Sequence, residues 1–383
     1  MERDGRLVFL AKSVRTFSYG SLGVLFPVYL TQLGFGPFEL GIAVTLTLLS
    51  SAVLTYTIAR PSENHGPRKV LIALAGMVII SALLFIFFRN PWIVVLAAMV
   101  GNLAVGTGET GPFISLEQVV LARAASRERL SGVMSFYNLA GYLAAALGAV
   151  LVSYRAASPF VLFSVFLAGG IVQVVSYFAM KSESGVPLHR HQAGDMPSRP
   201  LIRRLAALFA LDSFAGGFVI QSLVVYWFHS RFGLDLAALG WISFGTQVLS
   251  GLSLLLATPL AQRFGLVPTM VFSHLISNLL LIAVGFAPTA GWAVFFLFAR
   301  HLLSQMDVPT RQTFLMLTVE DHEREAAAVL TNMSRTLAQS VSPALTGWIM
   351  QAVSLSAPFV LGGGLKIAYD LMLYATARHV RQK

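Results

Sequence analysis

The chain has 383 residues, of which 56% are hydrophobic and 11% charged, with a mean hydropathy of +0.73. Such a composition excludes a water-soluble globular domain, and the absence of any cysteine excludes disulfides, thiolate metal ligands and cysteine nucleophiles. The net charge of +10 would suggest nucleic acid in a soluble protein, but here loop topology accounts for it, so no nucleic-acid partner is expected.

Apolar stretches of about twenty residues recur along the chain, each long enough to cross a hydrocarbon core roughly 30 Å thick as a helix. The expected fold is therefore an all-α membrane protein. Twelve transmembrane helices are predicted, over residues 7–33, 37–59, 68–88, 91–121, 128–153, 158–180, 201–231, 235–261, 267–287, 290–318, 322–351 and 354–377. The first contains Lys12 and Arg15 and lacks a small-residue cleavage site, so it reads as a retained span and not a signal peptide. With the N-terminus in the cytoplasm, eighteen Lys and Arg residues fall inside, and only Arg89, Arg155 and Arg231 fall outside. That bias predicts a multi-pass protein of a cytoplasmic (inner) membrane with both termini cytoplasmic.

Residues 181–200 form the one polar stretch of any length, punctuated by Gly185, Pro187, Gly194, Pro197 and Pro200. They read as a cytoplasmic linker between an N-terminal six-helix bundle (1–180) and a C-terminal one (201–383). His189 and His191 lie in it with no third ligand in view, so no metal site is expected there.

The two halves repeat one another. Arg15, Phe17, Gly20 and Tyr29 recur as Asp212, Phe214, Gly217 and Tyr226 at an offset of 197, and Gly34 and Gly41 recur as Gly233 and Gly240 at 199. One repeated position changes sign, from Arg15 to Asp212. The loop after the second span carries Ala59, Glu63, Asn64, Gly66, Arg68 and Lys69, and the loop after the eighth carries Gln262, Arg263 and Gly265. Parallel six-span repeats are a known transporter plan.

On these residues the chain resembles the major facilitator superfamily along its whole length. The loop between spans 2 and 3 matches that family's signature of glycine, an acidic residue, arginine, glycine and a basic pair. Here glutamate stands for aspartate, Asn64 for arginine and Ala59 for the first glycine, while the second copy has Gln262 at the acidic position. The resemblance implies two pseudo-symmetric six-helix bundles working by alternating access, with spans 1, 4, 7 and 10 lining a central site. It also implies a cytoplasmic gating loop made of Glu63, Gly66, Arg68, Lys69, Arg263 and Gly265. The exporters' glycine and proline pattern is only partly present in span 5, where Gly132 and Gly141 accompany Ala145, Ala146 and Ala149.

A charge at mid-helix is expensive in lipid, so each one is a functional candidate with an expected partner. Arg15 and Asp212 sit at equal depth in symmetry-related helices. They either contact each other across the halves, forming a proton-coupled gate, or pair within their own halves, Arg15 or Lys12 then meeting Glu109 or Glu117 of span 4. Glu109 stands in a Gly- and Pro-rich break and is a second candidate for substrate or proton. In span 10, Asp307 and Arg311 share a helix face around Pro309, as a local salt bridge or as substrate ligands beside Arg300. Arg335 could bind an anionic group or satisfy Asp307, Lys366 and Asp370 are read as neutralising each other, and Tyr29 and Tyr226 suit an interfacial belt or a binding site equally.

The expected function is a secondary transporter, a monomer exporting a small-molecule substrate against protons, with the lipid bilayer as its solvent and no cofactor. An uptake carrier for an organic anion, a divalent-metal exporter using Asp212 and His301, and a non-transporting receptor on the same fold are the alternatives. No catalytic constellation appears, so an enzyme is not expected.

Overall fold

The structure is a computed structural model that describes residues 3–106, 111–124, 130–154, 158–181 and 198–377. Among these residues it is helical throughout, with no strand. The helices are α1 (Arg3–Gln32), α2 (Pro37–Thr57), α3 (Ala59–His65), α4 (Pro67–Phe87), α5 (Pro91–Val100), α6 (Pro112–Ala124), α7 (Leu130–Leu151) and α8 (Pro159–Phe178). They continue with α9 (Arg199–Gly217), α10 (Gln221–Phe232), α11 (Leu236–Phe264), α12 (Leu266–Phe286), α13 (Ala290–Ser304), α14 (Asp307–Thr318), α15 (Arg324–Ala352) and α16 (Ala357–Ala377). Twelve spans follow, because three expected spans are each two helices: the fourth is α5 with α6, the seventh α9 with α10, and the tenth α13 with α14.

Local chemistry starts and breaks these helices. Asn90 accepts backbone N–H bonds from Trp92 and Ile93 ahead of α5, Ser158 caps α8 through Val161, and Thr289 caps α13 through Trp292. Pro91 and Pro159 follow the first two caps, at positions where a missing N–H is harmless. Span 10 breaks at Gln305, before Asp307, so Pro309 lies in the first turn of α14. Its missing N–H would have had no intrahelical partner there, so the proline starts a helix instead of kinking one.

Among the described residues, seven helices are long and apolar enough to cross a membrane by length and composition. Spans 4 and 10 fall short because they are broken, whereas α1, α15 and α16 are long enough but carry the polar and charged residues described below. Large apolar side chains such as Tyr56, Phe87, Phe136, Phe178 and Phe286 are exposed, an arrangement that lipid favours and water would not. This is an all-α membrane protein with the twelve-helix, two-bundle fold.

The chain forms two compact units. One comprises Met1–Gly36, Leu46–His189 and Val224–Val248, the other Pro37–Thr45, Arg190–Leu223 and Leu249–Lys383. In the first, α1 packs on α7 and α8, and α4 on α8 and α5. In the second, α9 packs on α15 and α16, and α12 on α16 and α13. In span numbers these pairings are 1 with 5 and 6 and 3 with 6 and 4, then 7 with 11 and 12 and 9 with 12 and 10, so the sequence repeat is also a packing repeat.

The repeated glycines are what such packing needs. A Cβ on Gly20 would collide with the carbonyl of Ala145 in α7, and one on Gly217 would collide with Ser342 and lie 2.8 Å from the carbonyl of Gln339 in α15. Gly41 is pressed in the same way against Pro343 and Gly347 within the second unit, and Gly240 against Ala149 and Ser153 within the first. Backbones thus approach closely without side chains between them, as small residues permit in membrane helices. The other repeated glycines serve conformation: Gly34 and Gly233 have φ of 96° and 65°, and Gly66 and Gly265 have φ of 80° and 90°, values that L side chains resist.

Candidate functional site

In the first unit the buried charges converge on Glu117. Arg15, on α1, grips this α6 carboxylate with both ends of its guanidinium, Nη1 to Oε1 at 3.0 Å and Nη2 to Oε2 at 2.6 Å. The phenol of Tyr177 on α8 accepts from Arg15 Nη1 at 2.8 Å and donates to Glu117 Oε1 at 2.5 Å, while Tyr137 on α7 donates to Oε2. Arg15 also lies 4.3 Å from the Phe113 ring centroid, and the Lys12 ammonium 4.3 Å from that of Tyr137. Arg15 and Glu117 are fully buried. A bidentate, fully hydrogen-bonded pair is the arrangement in which two charges can be held out of water.

In the second unit the centre is Asp212, on α9. Lys366 Nζ of α16 reaches its Oδ1 at 2.6 Å, Arg311 Nη1 of α14 reaches its Oδ2 at 3.2 Å, and His274 Nε2 of α12 lies 3.7 Å from Oδ1. Arg311 Nη1 is shared with Asp307 Oδ2 at 2.6 Å, one turn earlier on the same helix. His274 Nδ1 meets Asp370 Oδ1 at 2.7 Å, and Asn278 donates to Asp370 Oδ2 at 2.9 Å. One connected chain of charge thus runs from α14 through α9 to α12 and α16, carried by residues at most 6% exposed.

The two clusters are related by the repeat. In each unit the first helix of the half pairs with the second part of its broken fourth span, but the sign is reversed: Arg15 with Glu117, and Asp212 with Arg311. The reversal noticed at one sequence position is therefore a reversal of a whole ion pair.

These partners bear on several expectations. The charges of Arg15 and Asp212 are each met inside their own unit, which is the second of the two readings considered for them. Lys366 and Asp370 are not each other's neutralisers, because Lys366 turns to Asp212 while Asp370 is taken by His274 and Asn278. A spacing of four on α16 places both on one face, and α9 and α12 both pack on that helix. The local Asp307–Arg311 bridge is present, but Arg311 also reaches beyond its own helix. Glu109 lies outside the described residues, as do His189 and His191.

Arg335, on α15, donates from Nε to Ser213 Oγ at 3.0 Å and is not bonded to Asp307. Arg300, at the end of α13, contacts the neighbouring His301 Nε2 at 3.4 Å. His301 Nδ1 in turn lies 2.9 Å from Ser250 Oγ. His301 and Asp212 have separate partners. Tyr29 packs edge-on against Phe163 with centroids 5.5 Å apart, and Tyr226 is buried.

Of the residues expected to form a gating loop, Gly66 and Gly265 are the positive-φ positions that open α4 and α12. Arg68 donates to the carbonyls of Tyr177 and Phe178 at 3.3 and 2.6 Å, closing the C-terminus of α8 where a cation is favoured. Lys69 is exposed, Arg263 lies over the ring of Phe264, and Glu63 sits on α3.

Sequence reasoning did not single out His274, Asn278, Tyr137 or Tyr177. His274 and Asn278 carried a usable signal: the two strongly polar residues of their span stand four apart, the same spacing as Lys366 and Asp370, and both meet Asp370. Two tyrosines in apolar helices carried none, since most such tyrosines are interfacial.

A helical bundle with repeated six-span halves and charges buried within its spans has the plan of a polytopic carrier, not of an enzyme. Comparison with known families agrees: the Major Facilitator Superfamily model matches residues 8–230 and 205–383, and the chain belongs to that family. An uncharacterized membrane protein of Saccharomyces cerevisiae is 22% identical over 97% of this chain and 93% of its own length. The class G tetracycline resistance protein of Vibrio anguillarum is 25% identical over 81% of this chain and 83% of its own. Among solved structures, an auto-inhibited POT family peptide transporter superposes with a TM-score of 0.77 at 10% identity, covering 100% of this chain and 98% of that one. A D-xylose–proton symporter gives 0.74 at 14%, covering 99% and 97%. The protein is a membrane transporter of this fold.

Proposed function

We propose that the protein is a proton-coupled exporter of a small organic molecule, working as a monomer by alternating access in a cytoplasmic membrane with both termini in the cytoplasm. Its halves are then residues 1–180 and 201–383, joined by 181–200. The observation that carries this reading is the convergence of Lys366, Arg311 and His274 on the single carboxylate of Asp212. Protonating that carboxylate removes the charge that holds α14 and α16 to α9. Restoring it re-forms both ion pairs, so one proton can switch two interhelical links. The outward direction is supported by the likeness to a tetracycline resistance protein, because a membrane carrier can confer resistance to a drug by moving it out of the cell.

The test is transport in proteoliposomes with an imposed pH gradient, using tetracycline first and then a panel of small organic ions, with internal pH followed by a trapped dye. Substrate movement that collapses the gradient, and does so in wild type but not in Asp212→Asn, is expected. Uptake that ignores the gradient, or an Asp212→Asn variant with unchanged coupling, refutes the reading. A receptor on this fold would move nothing in either case.

A further inference from the structure

The switch at Asp212 gives no task to Asp370 or to the second nitrogen of His274. Asp370 is 1% exposed, and α12 takes up both its oxygens, Oδ1 through His274 Nδ1 at 2.7 Å and Oδ2 through the Asn278 amide at 2.9 Å. That amide also lies 3.2 Å from His274 Nδ1. Among the described residues Asp370 has no lysine or arginine within ion-pair distance, since Lys366, one turn earlier on α16, is spent on Asp212. An amide donates a hydrogen bond but does not pass a proton on, so among the described residues the proton-conducting contact of Asp370 is His274. The other nitrogen of that ring, Nε2, lies 3.7 Å from Asp212 Oδ1. Three helices thus supply one line: Asp212 of α9, His274 of α12 and Asp370 of α16. Tyr369 stands edge-on to the imidazole, with centroids 6.0 Å apart and planes at 87°, and so supports the plane of the ring. The elements packed against α12 carry further charged or titratable groups, Lys366 on α16, Asp307 and Arg311 on α14, Arg300 and His301 on α13. Among the described residues, though, only Asp212 and Asp370 bring a carboxylate within ion-pair distance of the ring.

We infer that Asp370 is a second proton-binding site, filled from Asp212 through His274. The order of events follows from one shared oxygen: Asp212 Oδ1, which Nε2 faces, is also the oxygen that Lys366 holds at 2.6 Å. While Asp212 is ionised the ammonium occupies it, and the ring at 3.7 Å stands beyond hydrogen-bonding distance. Protonating Asp212 removes the attraction for Lys366, and a small rotation of the ring or of the carboxyl then brings Oδ1–H onto Nε2. In the tautomer that donates Nδ1–H to Asp370, Nε2 offers its lone pair. The O–H bond of Asp212 breaks with its electron pair left on oxygen, and Nε2 takes the proton. The Nδ1–H bond breaks with its electron pair left on the ring, and that proton passes to Asp370 Oδ1. One proton has entered the imidazole and one has left, so the ring ends neutral in its other tautomer. The negative charge has moved from Asp370 to Asp212, where Lys366 and Arg311 take it up again. A buried charge without a counter-charge is costly, so the proton is better kept on Asp370 than on the acid that two cations flank. The store lets both ion pairs re-form while the proton is still inside the protein. Release runs the same path in reverse, so the side from which Asp212 is reached decides where the proton goes.

This assignment deepens the proposed function and rests on its proton-coupled reading. Its test uses neither substrate nor gradient, so the two can fail separately. Purified full-length protein in detergent receives protons from a photolysed caged acid, and time-resolved infrared spectroscopy follows the carbonyl band of each aspartic acid as it is protonated. Asp212→Asn and Asp370→Asn assign the bands. In wild type the Asp370 band should rise after the Asp212 band and at its expense. His274→Gln keeps a hydrogen-bond donor but relays no proton; it should slow the Asp370 band at least about tenfold and leave the rise of Asp212 unchanged. Asp212→Asn should slow the Asp370 band to the same degree. Asn278→Ala removes the other donor to Asp370 but no proton-conducting group, and should leave the rate as in wild type, whereas a merely structural His274 would make the two α12 variants alike. Absence of an Asp370 band, a wild-type Asp370 rate in folded His274→Gln, or equal slowing in Asn278→Ala overturns the assignment. If His274→Gln does not fold, Asp212→Asn carries the comparison, and a wild-type Asp370 rate there has the same consequence. The expected infrared result in protein that fails the proteoliposome test sinks proton-coupled export and leaves the line from Asp212 to Asp370 standing, while the converse pattern sinks the store alone.

Discussion

Replacing Asp212 with asparagine keeps the shape of the side chain and removes its charge. The consequence falls on Lys366, whose ammonium lies 2.6 Å from Asp212 Oδ1 and is 6% exposed as a residue, whereas Arg311 keeps Asp307 at 2.6 Å. Removing one partner of a buried pair costs about 3–5 kcal/mol, because the other charge is left uncompensated. The reverse substitution, Lys366→Met, leaves Asp212 with Arg311 at 3.2 Å and should cost only about 1.5 kcal/mol, the loss of one charge-assisted hydrogen bond. The double variant Asp212→Asn/Lys366→Met should lie close to Lys366→Met alone, a coupling of about 3–5 kcal/mol between the two sites. At about 2–4 °C per kcal/mol, Asp212→Asn should melt about 10 °C below wild type and the double variant well above it. The chain has five tryptophans and no cysteine, so intrinsic fluorescence in detergent is the readout and a thiol-reactive dye is useless. Additive effects in the double variant, or an Asp212→Asn melt indistinguishable from wild type, would refute the claim that this carboxylate is what makes Lys366 tolerable.

Gly20→Ala and Gly217→Ala should each lose the monodisperse peak in size-exclusion chromatography, because their Cβ atoms meet neighbouring helices, while Gly76→Ala, with nothing within 4 Å, should behave as wild type. Tyr137→Phe and Tyr177→Phe should each cost about 1–2 kcal/mol in the same melts by removing one donor to Glu117, and Glu117→Gln should cost more than either because it leaves the Arg15 guanidinium without its carboxylate. At the start of α15, burial would raise the Glu323 carboxyl, but hydrogen bonds from Ser198 and from the Glu320 backbone outweigh it and hold the group below its ordinary value of 4.5. A depressed folded value means the contribution is complete above about pH 4.5 and fades as pH falls through the lower folded value, so Glu323→Gln should narrow the melting difference from wild type only in that acid range. An unchanged difference down to about pH 3 would show that the carboxylate does not anchor Ser198.

Part of the site was legible because lipid makes charge conspicuous. Arg15, Asp212, Asp307, Arg311 and Lys366 stand out in apolar runs, and the reversal of sign between Arg15 and Asp212 is enough by itself to mark the helices that carry the two ion-pair clusters. Their partners were less legible. Asp307 with Arg311 follows from a spacing of four on one helix, but Lys366 and Asp370 have the same spacing and choose differently. Local geometry makes a pair possible, and only the approach of α9 and α12 supplied each with a better partner.

The sequence by itself determined the membrane class, the twelve spans and the repeat. Hydropathy reports transfer into lipid, a property of each segment alone, and the repeated glycines report backbone constraints that recur wherever the same packing recurs. Where the spans break, and which carboxylate each cation reaches, were decided by tertiary structure. A helix end depends on what receives its freed backbone groups, and a buried charge takes the partner that several helices together bring within hydrogen-bonding distance.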